Sequence, residues 1–168
     1  MRAQSTNSRA PLIADVLAEY TAGFGYEQIP SNTRERAKLL ILDALGIAFA
    51  STQYDFAHRA LSASRELGSG QSDVIGSTEK LQLRDAILMN GLLVHGLDFD
   101  DTHARGVIHA TASCLPTALA VAAHNGVCGQ QLLSAYVLGM EVATRLASVA
   151  KGEFHQAGFH PTGLIGAF

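Results

Sequence analysis

A chain of 168 residues is long enough for one domain with a substantial core. Hydrophobic residues make up 48% and charged residues 16%, so we expect some apolar surface to meet another domain or subunit. Because the formal net charge is −3 and the Lys and Arg residues are scattered, nucleic acid and anionic membranes are not expected partners.

The N-terminus and the cysteines indicate the compartment. Residues 1–10 lack the apolar core of a secretory signal peptide, and we predict that they are disordered. The spacing of Cys114 and Cys128 fits neither a disulfide framework nor a metal knuckle, which predicts reduced cysteines in a cytoplasmic protein. The richest apolar stretch, Leu39 to Ala50, is too short for a bilayer, which takes about 20 residues, so no membrane span is predicted.

Apolar residues recurring at three and four positions predict helices along most of the chain. In chain order, the predicted helices are Pro11 to Gly23 or Gly25, Thr33 to Ser51, Ala57 to Leu67, Leu83 to Gly96, Pro116 to Asn125 and Gly129 to Ala150. One short strand is predicted at Asp73 to Ile75, inside a loop rich in Gly and Ser. The fold class is therefore all-α, a helical bundle-like domain over residues 11–168.

The second predicted helix carries two further expectations. Asn32 can cap its start, with Glu35 reaching back three residues later. Its later part, LLILDALGIAFA, is apolar nearly all round, which predicts a place at the centre of the packing. The chain ends at GLIGAF, in an apolar helical run without a stop signal, and we expect the natural protein to continue beyond it.

The densest group of reactive side chains lies between positions 95 and 109. It contains three imidazoles, three carboxylates and a guanidinium, in the order His95, Asp98, Asp100, Asp101, His103, Arg105 and His109. A solvated loop with Asp residues that cap neighbouring helices explains the spacing equally well. Asp98, Asp100 and His103 could also face one metal ion, but the pattern lacks EF-hand spacing and no HExxH is present. We predict no metal.

A second group, KGEFHQAGFHPTG, occupies positions 151–163. Pro161 suits the first turn of a helix, and His160 or Thr162 would stand beside free N–H groups that favour an anion. A hydrogen-bonded structural role for His155 and His160 is the alternative. The functional interpretation gains strength only if the two loops converge.

The sequence NGLLVHGLDFDDTH, followed by a histidine and an Ala-rich helix, and GFHPTGLIGAF downstream resemble the MmgE/PrpD family. The early helix LLILDALGIAFA and the segment GQQLLSAYVLGMEVATRL extend the resemblance from Leu12 to Phe168. This family includes 2-methylcitrate dehydratase, cis-aconitate decarboxylase and iminodisuccinate epimerase. The resemblance implies the family's helical domain, incomplete at its C-terminal end, with the rest of that domain and a second α+β domain absent.

The resemblance also implies a site. Asp98 and Thr102 match residues that line the family's active site, His109 matches the histidine of its HPS segment, and His160 matches that of its WHPT-like segment. Here Ala-Thr-Ala follows His109 in place of Pro-Ser, and the spacer after Thr102 differs from that of the decarboxylases. The family also uses lysines further along the chain. Because polycarboxylates need cationic partners, we add His103 and Arg105 as substrate-binding residues.

The implied activity is that of a lyase on a small di- or tricarboxylic acid. We assign His109 as the leading acid/base, His160 as a second acid/base or carboxylate anchor, Asp98 as an orienting group and Thr102 as a hydrogen-bond donor. No cofactor is expected, since no Rossmann or P-loop glycine pattern is present. The alternatives are an epimerase, or a non-catalytic helical module that dimerises through Leu39–Ala50 and Gly129–Ala150. We expect a homodimer formed through helical surfaces.

Overall fold

The computed structural model describes residues 12–150 and 152–168, which form α-helices and one small hairpin. In chain order the described helices are α1 Ile13–Gly23, α2 Ser31–Ser51, α3 Asp55–Glu66, α4 Leu83–His95, α5 Thr111–Asn125, α6 Gly129–Val149, α7 Glu153–Gln156 and α8 Pro161–Ile165. A 3₁₀ turn, Tyr26–Gln28, separates α1 from α2. The predicted helical class is confirmed. The predicted disorder at positions 1–10 lies outside the described residues.

Helix α4 is the centre of the packing. It lies against α2, α3 and α5, and α5 in turn packs against α6. Its buried residues, which include Met89 and Leu93, recur at three- and four-residue intervals and give it a wide core-facing surface. Ser51 Oγ at the end of α2 donates a 2.6 Å hydrogen bond to the carbonyl of Leu93. This bond fixes the C-terminal ends of α2 and α4 beside each other.

The small hairpin differs from the predicted strand. Strand β1 (Ser69–Asp73) pairs antiparallel with β2 (Lys80–Leu81), so the prediction of a single strand at Asp73 to Ile75 is wrong. The cause is buried Asn90 of α4, whose Oδ1 accepts a 2.9 Å hydrogen bond from the Ile75 N–H. The Asn90 amide also donates to the Asp73 carbonyl at 3.1 Å. These bonds turn the chain onto α4 where the sequence alone suggests that the strand continues.

The start of α2 also departs from prediction. Pro30 occupies the N-cap with extended backbone, and the helix begins at Ser31. Asn32 Oδ1 accepts a hydrogen bond from the adjacent Thr33 N–H, and Glu35 pairs with Lys38 at 2.7 Å. The predicted capping box between Asn32 and Glu35 is therefore wrong, because Pro30 already sets the chain direction before Asn32.

The later part of α2 is not buried on all sides. Ala44, Ile47 and Ala48 face the core, whereas Leu39, Leu42 and Phe49 are more than half exposed. The expected central position of this helix is wrong for the face that carries those three side chains. This face leaves apolar surface exposed, and its contact with another domain or subunit stays a prediction.

Helix α5 begins at Thr111, five positions before the predicted start, and Pro116 lies inside it. The rule that places proline in the first helical turn therefore misplaced this boundary. By contrast, Pro161 is the first residue of α8, as predicted. Helix α8 ends at Ile165, so the expected helical run to Phe168 is wrong.

A second buried cluster joins α6, α8 and the loop before α5. It consists of Ile108, Ala110, Ala143, Ala147 and Ile165. Helix α6 is also the one described helix long and apolar enough to cross a membrane by length and composition. Because core helices pass the same test and α6 contributes to both clusters, this is weak evidence for a span.

Candidate active site

The loop between α4 and α5 carries the first group of predicted site residues. Just after α4, the Asp98 N–H donates a 2.8 Å hydrogen bond to the carbonyl of His95. Asp98 adopts a φ of 52°, a left-handed conformation that Asp accepts more readily than most residues. This tight turn reverses the chain, so the acidic segment lies beside the end of α4.

A second turn brings the loop back toward α5. The His103 N–H donates to the Ile108 carbonyl at 2.9 Å, and the Val107 N–H donates to the His103 carbonyl at 2.8 Å. Gly106 packs so closely on α6 that a Cβ would lie 2.7 Å from the Ala147 methyl group. Val107 has a φ of 52°, which is costly for a β-branched residue and is held by these contacts.

His109 follows this turn and is fixed by the residues around it. Its neighbours Ile108 and Ala110 are both buried in the second cluster. Its own N–H donates a 3.1 Å hydrogen bond to Thr162 Oγ1 of α8. The imidazole of His109 therefore projects from a backbone that is anchored to two helices.

Asp100 lies at the centre of the site, with its side chain 1% exposed. His95 Nδ1 is 3.0 Å from Asp100 Oδ1 and 3.3 Å from Oδ2. His109 Nδ1 is 3.4 Å from Asp100 Oδ1, and it is buried without a hydrogen bond of good geometry. One buried carboxylate therefore faces the Nδ1 atoms of two imidazoles.

Two predicted residues join this pair from the solvent side. Asp98, with its side chain 82% exposed, places Oδ1 3.7 Å from His109 Nε2. His160 lies with its ring centroid 6.4 Å from that of His95, whose ring is 4.9 Å from that of His109. The two loops therefore converge, as their functional interpretation requires.

The four side chains of His95, Asp98, Asp100 and His109 each offer a ligand atom, and these atoms lie within 4.8 Å of one another. Imidazole and carboxylate together suit several divalent ions. The set differs from the one weighed on sequence alone, since His95 and His109 take part and His103 does not. The prediction that the protein uses no metal stays a prediction.

Part-buried Asp101 lies close to His109 and to the buried hydroxyls of Thr111 and Tyr136. Burial raises the pKa of Asp101, repulsion from Asp100 raises it further, and a hydrogen bond from Thr111 opposes the rise. The hydroxyls of buried Thr111 and Tyr136 are 2.7 Å apart, and burial raises the pKa of the Tyr136 phenol. A charge at Asp101 is therefore disfavoured in this part of the site.

Thr102, His103 and Arg105 are the predicted substrate-binding residues. Thr102 is exposed. His103 and Arg105 line an open cavity of about 590 Å³ together with Glu141 and Arg145 of α6. These three remain predicted substrate-binding residues, although His103 and Arg105 do not join the cluster around Asp100.

A cavity of about 700 Å³ runs between α5 and α6. Cys114, Leu138 and Ile165 are typical of its lining, which contains no charged side chain. A polycarboxylate would find no cation there, so the candidate site is the histidine cluster.

His95 and Asp100 are the residues that sequence reasoning did not select. Both belong to the dense polar segment, but only the turn at Asp98 brings them together. The sequence offered one indication of this pair: His95 is the last residue of α4, and Asp100 follows only five residues later.

Comparison with known proteins identifies a family. Residues 15–168 match the family described as the MmgE/PrpD N-terminal domain. A cis-aconitate decarboxylase from Aspergillus terreus is 26% identical over 99% of this chain and 36% of its own length. Cis-aconitate decarboxylases from Homo sapiens and Mus musculus are 31% and 29% identical, each over 92% of this chain and 33% of their own length. The chain thus spans about a third of these relatives.

Proposed function

The chain belongs to the MmgE/PrpD family, and we propose that it forms part of a lyase acting on a small di- or tricarboxylic acid. The observation that carries the proposal is the convergence of His109 and His160 on His95, which is paired with the buried carboxylate of Asp100. The names of the related decarboxylases favour a cis-aconitate-like substrate, and a 2-methylcitrate-like substrate is the second choice.

Imidazole suits the required proton transfers because it can take and give a proton near neutral pH. In decarboxylation, the C–C bond to one carboxylate breaks and CO₂ leaves. The electron pair that remains is taken up by a proton delivered to the substrate. In dehydration, a base removes a proton beside a carboxylate and an acid protonates the departing hydroxide, so water is released.

The geometry favours His109 as the group that moves this proton. Its Nε2 faces exposed Asp98, whereas its Nδ1 is buried against Asp100. His160, exposed at the start of α8, is placed to serve as a second acid/base or to hold a carboxylate. Asp98, exposed beside Nε2 of His109, orients an imidazole or a hydroxyl group, and Thr102 donates a hydrogen bond to the substrate.

Product analysis tests this proposal. The natural protein that contains this chain is incubated separately with cis-aconitate and with 2-methylcitrate, and both reactions are followed by proton NMR in D₂O. We expect one acid to be consumed, with loss of either CO₂ or water. Deuterium exchange beside a carboxylate with neither loss would instead indicate an epimerase, and no change in any acid would refute the lyase.

A further inference from the structure

Asp100 is a buried carboxylate whose close ion-pair partners, among the described residues, are two imidazoles. No Lys or Arg of the described chain forms a salt bridge with it. Burying a charge is costly unless hydrogen-bond donors compensate for the lost water. The Nδ1 atoms of His95 and His109 are the groups placed to provide that compensation.

An ionised carboxylate only accepts hydrogen bonds, so an imidazole nitrogen bonded to it must carry the hydrogen. For His95, at 3.0 Å from Oδ1, this selects the Nδ1–H tautomer and leaves Nε2 with a free lone pair. For His109, Nδ1 is 3.4 Å away and lacks another partner. Asp100 Oδ1 is therefore the carboxylate oxygen nearest to this unpartnered nitrogen.

Asp98 competes for His109 from the opposite side, with Oδ1 3.7 Å from Nε2. Its side chain is largely exposed, so water screens its charge, whereas Asp100 acts in a region of lower dielectric constant. The shorter distance and the burial both favour Asp100. Asp100 is therefore better placed than Asp98 to accept a hydrogen bond from His109.

We propose that Asp100 is a positioning residue that holds His95 and His109 as Nδ1–H tautomers, so that both Nε2 atoms remain available for proton transfer. The kinetic part of this proposal rests on the proposed function. His95 thereby becomes a second imidazole ready to exchange a proton beside His109. The tautomers themselves can be observed without any substrate.

The test uses the natural protein with ¹⁵N-labelled histidine and two matched variants. Asp100→Asn keeps the shape but offers an amide N–H that favours the opposite tautomer. Asp85→Asn is the control, because Asp85 is equally buried but is paired with Arg84 at 2.8 Å, outside the site. Long-range ¹H–¹⁵N spectra report the tautomer of each ring.

We expect Nδ1–H tautomers at His95 and His109 in the wild type and in Asp85→Asn, and Nε2–H at one or both in Asp100→Asn. Turnover in Asp100→Asn should fall about 10²–10⁴-fold with little change in KM, as when an imidazole-orienting Asp is lost elsewhere. Nε2–H tautomers at both rings of the wild type would overturn the inference even if the variant fails to fold. The expected tautomers in a protein that turns over neither acid would support the inference and refute the proposed function.

Discussion

The N–H of His109 donates a 3.1 Å hydrogen bond to Thr162 Oγ1, across 53 residues of sequence. This bond joins the loop before α5 to helix α8, whose N-cap is His160. The Thr162 hydroxyl thus ties His109 to the helix that begins just after His160, the other histidine predicted to contact the substrate. The convergence of the two loops depends on this contact and on the buried cluster beneath it.

Removing the Thr162 hydroxyl should lower turnover more than it lowers the stability of the fold. Thr162→Val leaves the His109 N–H without its partner, which costs about 1 kcal/mol of unfolding free energy. Because misplacing a catalytic group is costly, we expect turnover in the natural protein to fall about 10- to 100-fold. Urea unfolding and steady-state kinetics measure the two effects. Thr162→Ser keeps the hydroxyl and should retain activity; equal losses in both variants would contradict this role.

Replacing either histidine of the linked pair should affect catalysis more than stability. His109→Gln and His160→Gln remove the ionisable ring, and we expect each to lower turnover about 10²–10⁴-fold, as for loss of a general acid or base. The control is His124→Gln, because His124 is exposed in the last turn of α5. Thermal unfolding is measured in parallel. Near-normal turnover in both variants would refute the assignment, and unfolding of both would indicate structural histidines.

The long helices could be predicted from sequence because their signal is local. The bounds predicted for α4 and α6 each lie within one residue of those observed, since apolar periodicity and flanking glycines mark them. The hairpin could not be predicted in this way. Strand β1 ends where the side chain of Asn90, 15 residues further along the chain, accepts the hydrogen bond of the Ile75 N–H.

The site likewise contains residues that could be predicted from sequence and contacts that could not. Asp98, His109 and His160 could be selected from motifs that occupy short stretches of sequence. The pairing of Asp100 with His95 depends on a left-handed turn at Asp98, and the tie to Thr162 depends on the packing of α8. Neither contact could be predicted from the periodicity or the composition of the sequence.

Metal independence can be tested at the same cluster. In the structure, Asp100 is already engaged by His95 at 3.0 Å, so an ion would have to compete with this hydrogen bond for the carboxylate. We therefore expect the natural protein to keep its turnover after exhaustive chelation. Metal analysis of the chelated sample is the control. Loss of activity that a divalent ion restores would refute the prediction, with His95, Asp98, Asp100 and His109 as the first ligands to test.

Asp101 should make stability depend on pH in an unusual direction. Burial raises its pKa in the folded protein, so the folded state holds this proton more tightly than the unfolded state. Its contribution is therefore most favourable at acidic pH and is lost as pH rises through the raised pKa.

Asp101→Asn removes the penalty of burying the charge, and we expect this variant to be more stable than the wild type at neutral pH but not at acidic pH. Urea unfolding at both pH values measures the difference, with exposed Glu19→Gln as the charge control. A constant difference across pH would contradict the expectation.

The exposed face of α2 should make the isolated 168-residue chain associate with itself. Leu39, Leu42 and Phe49 lie at intervals of three and seven residues, so they form one apolar stripe along the helix. Covering each such side chain is worth up to about 1.5–3 kcal/mol, which favours contact with a second copy in the absence of another partner.

Light scattering coupled to size exclusion should show dimers or larger species, and Leu39→Glu combined with Leu42→Glu should shift the chain toward monomer. Ser62→Glu combined with Ala63→Glu, at exposed positions of α3, adds the same charge elsewhere and should leave the association unchanged. A monodisperse, cooperatively unfolding wild-type monomer would refute the prediction, because the stripe would then be stable in water without a partner.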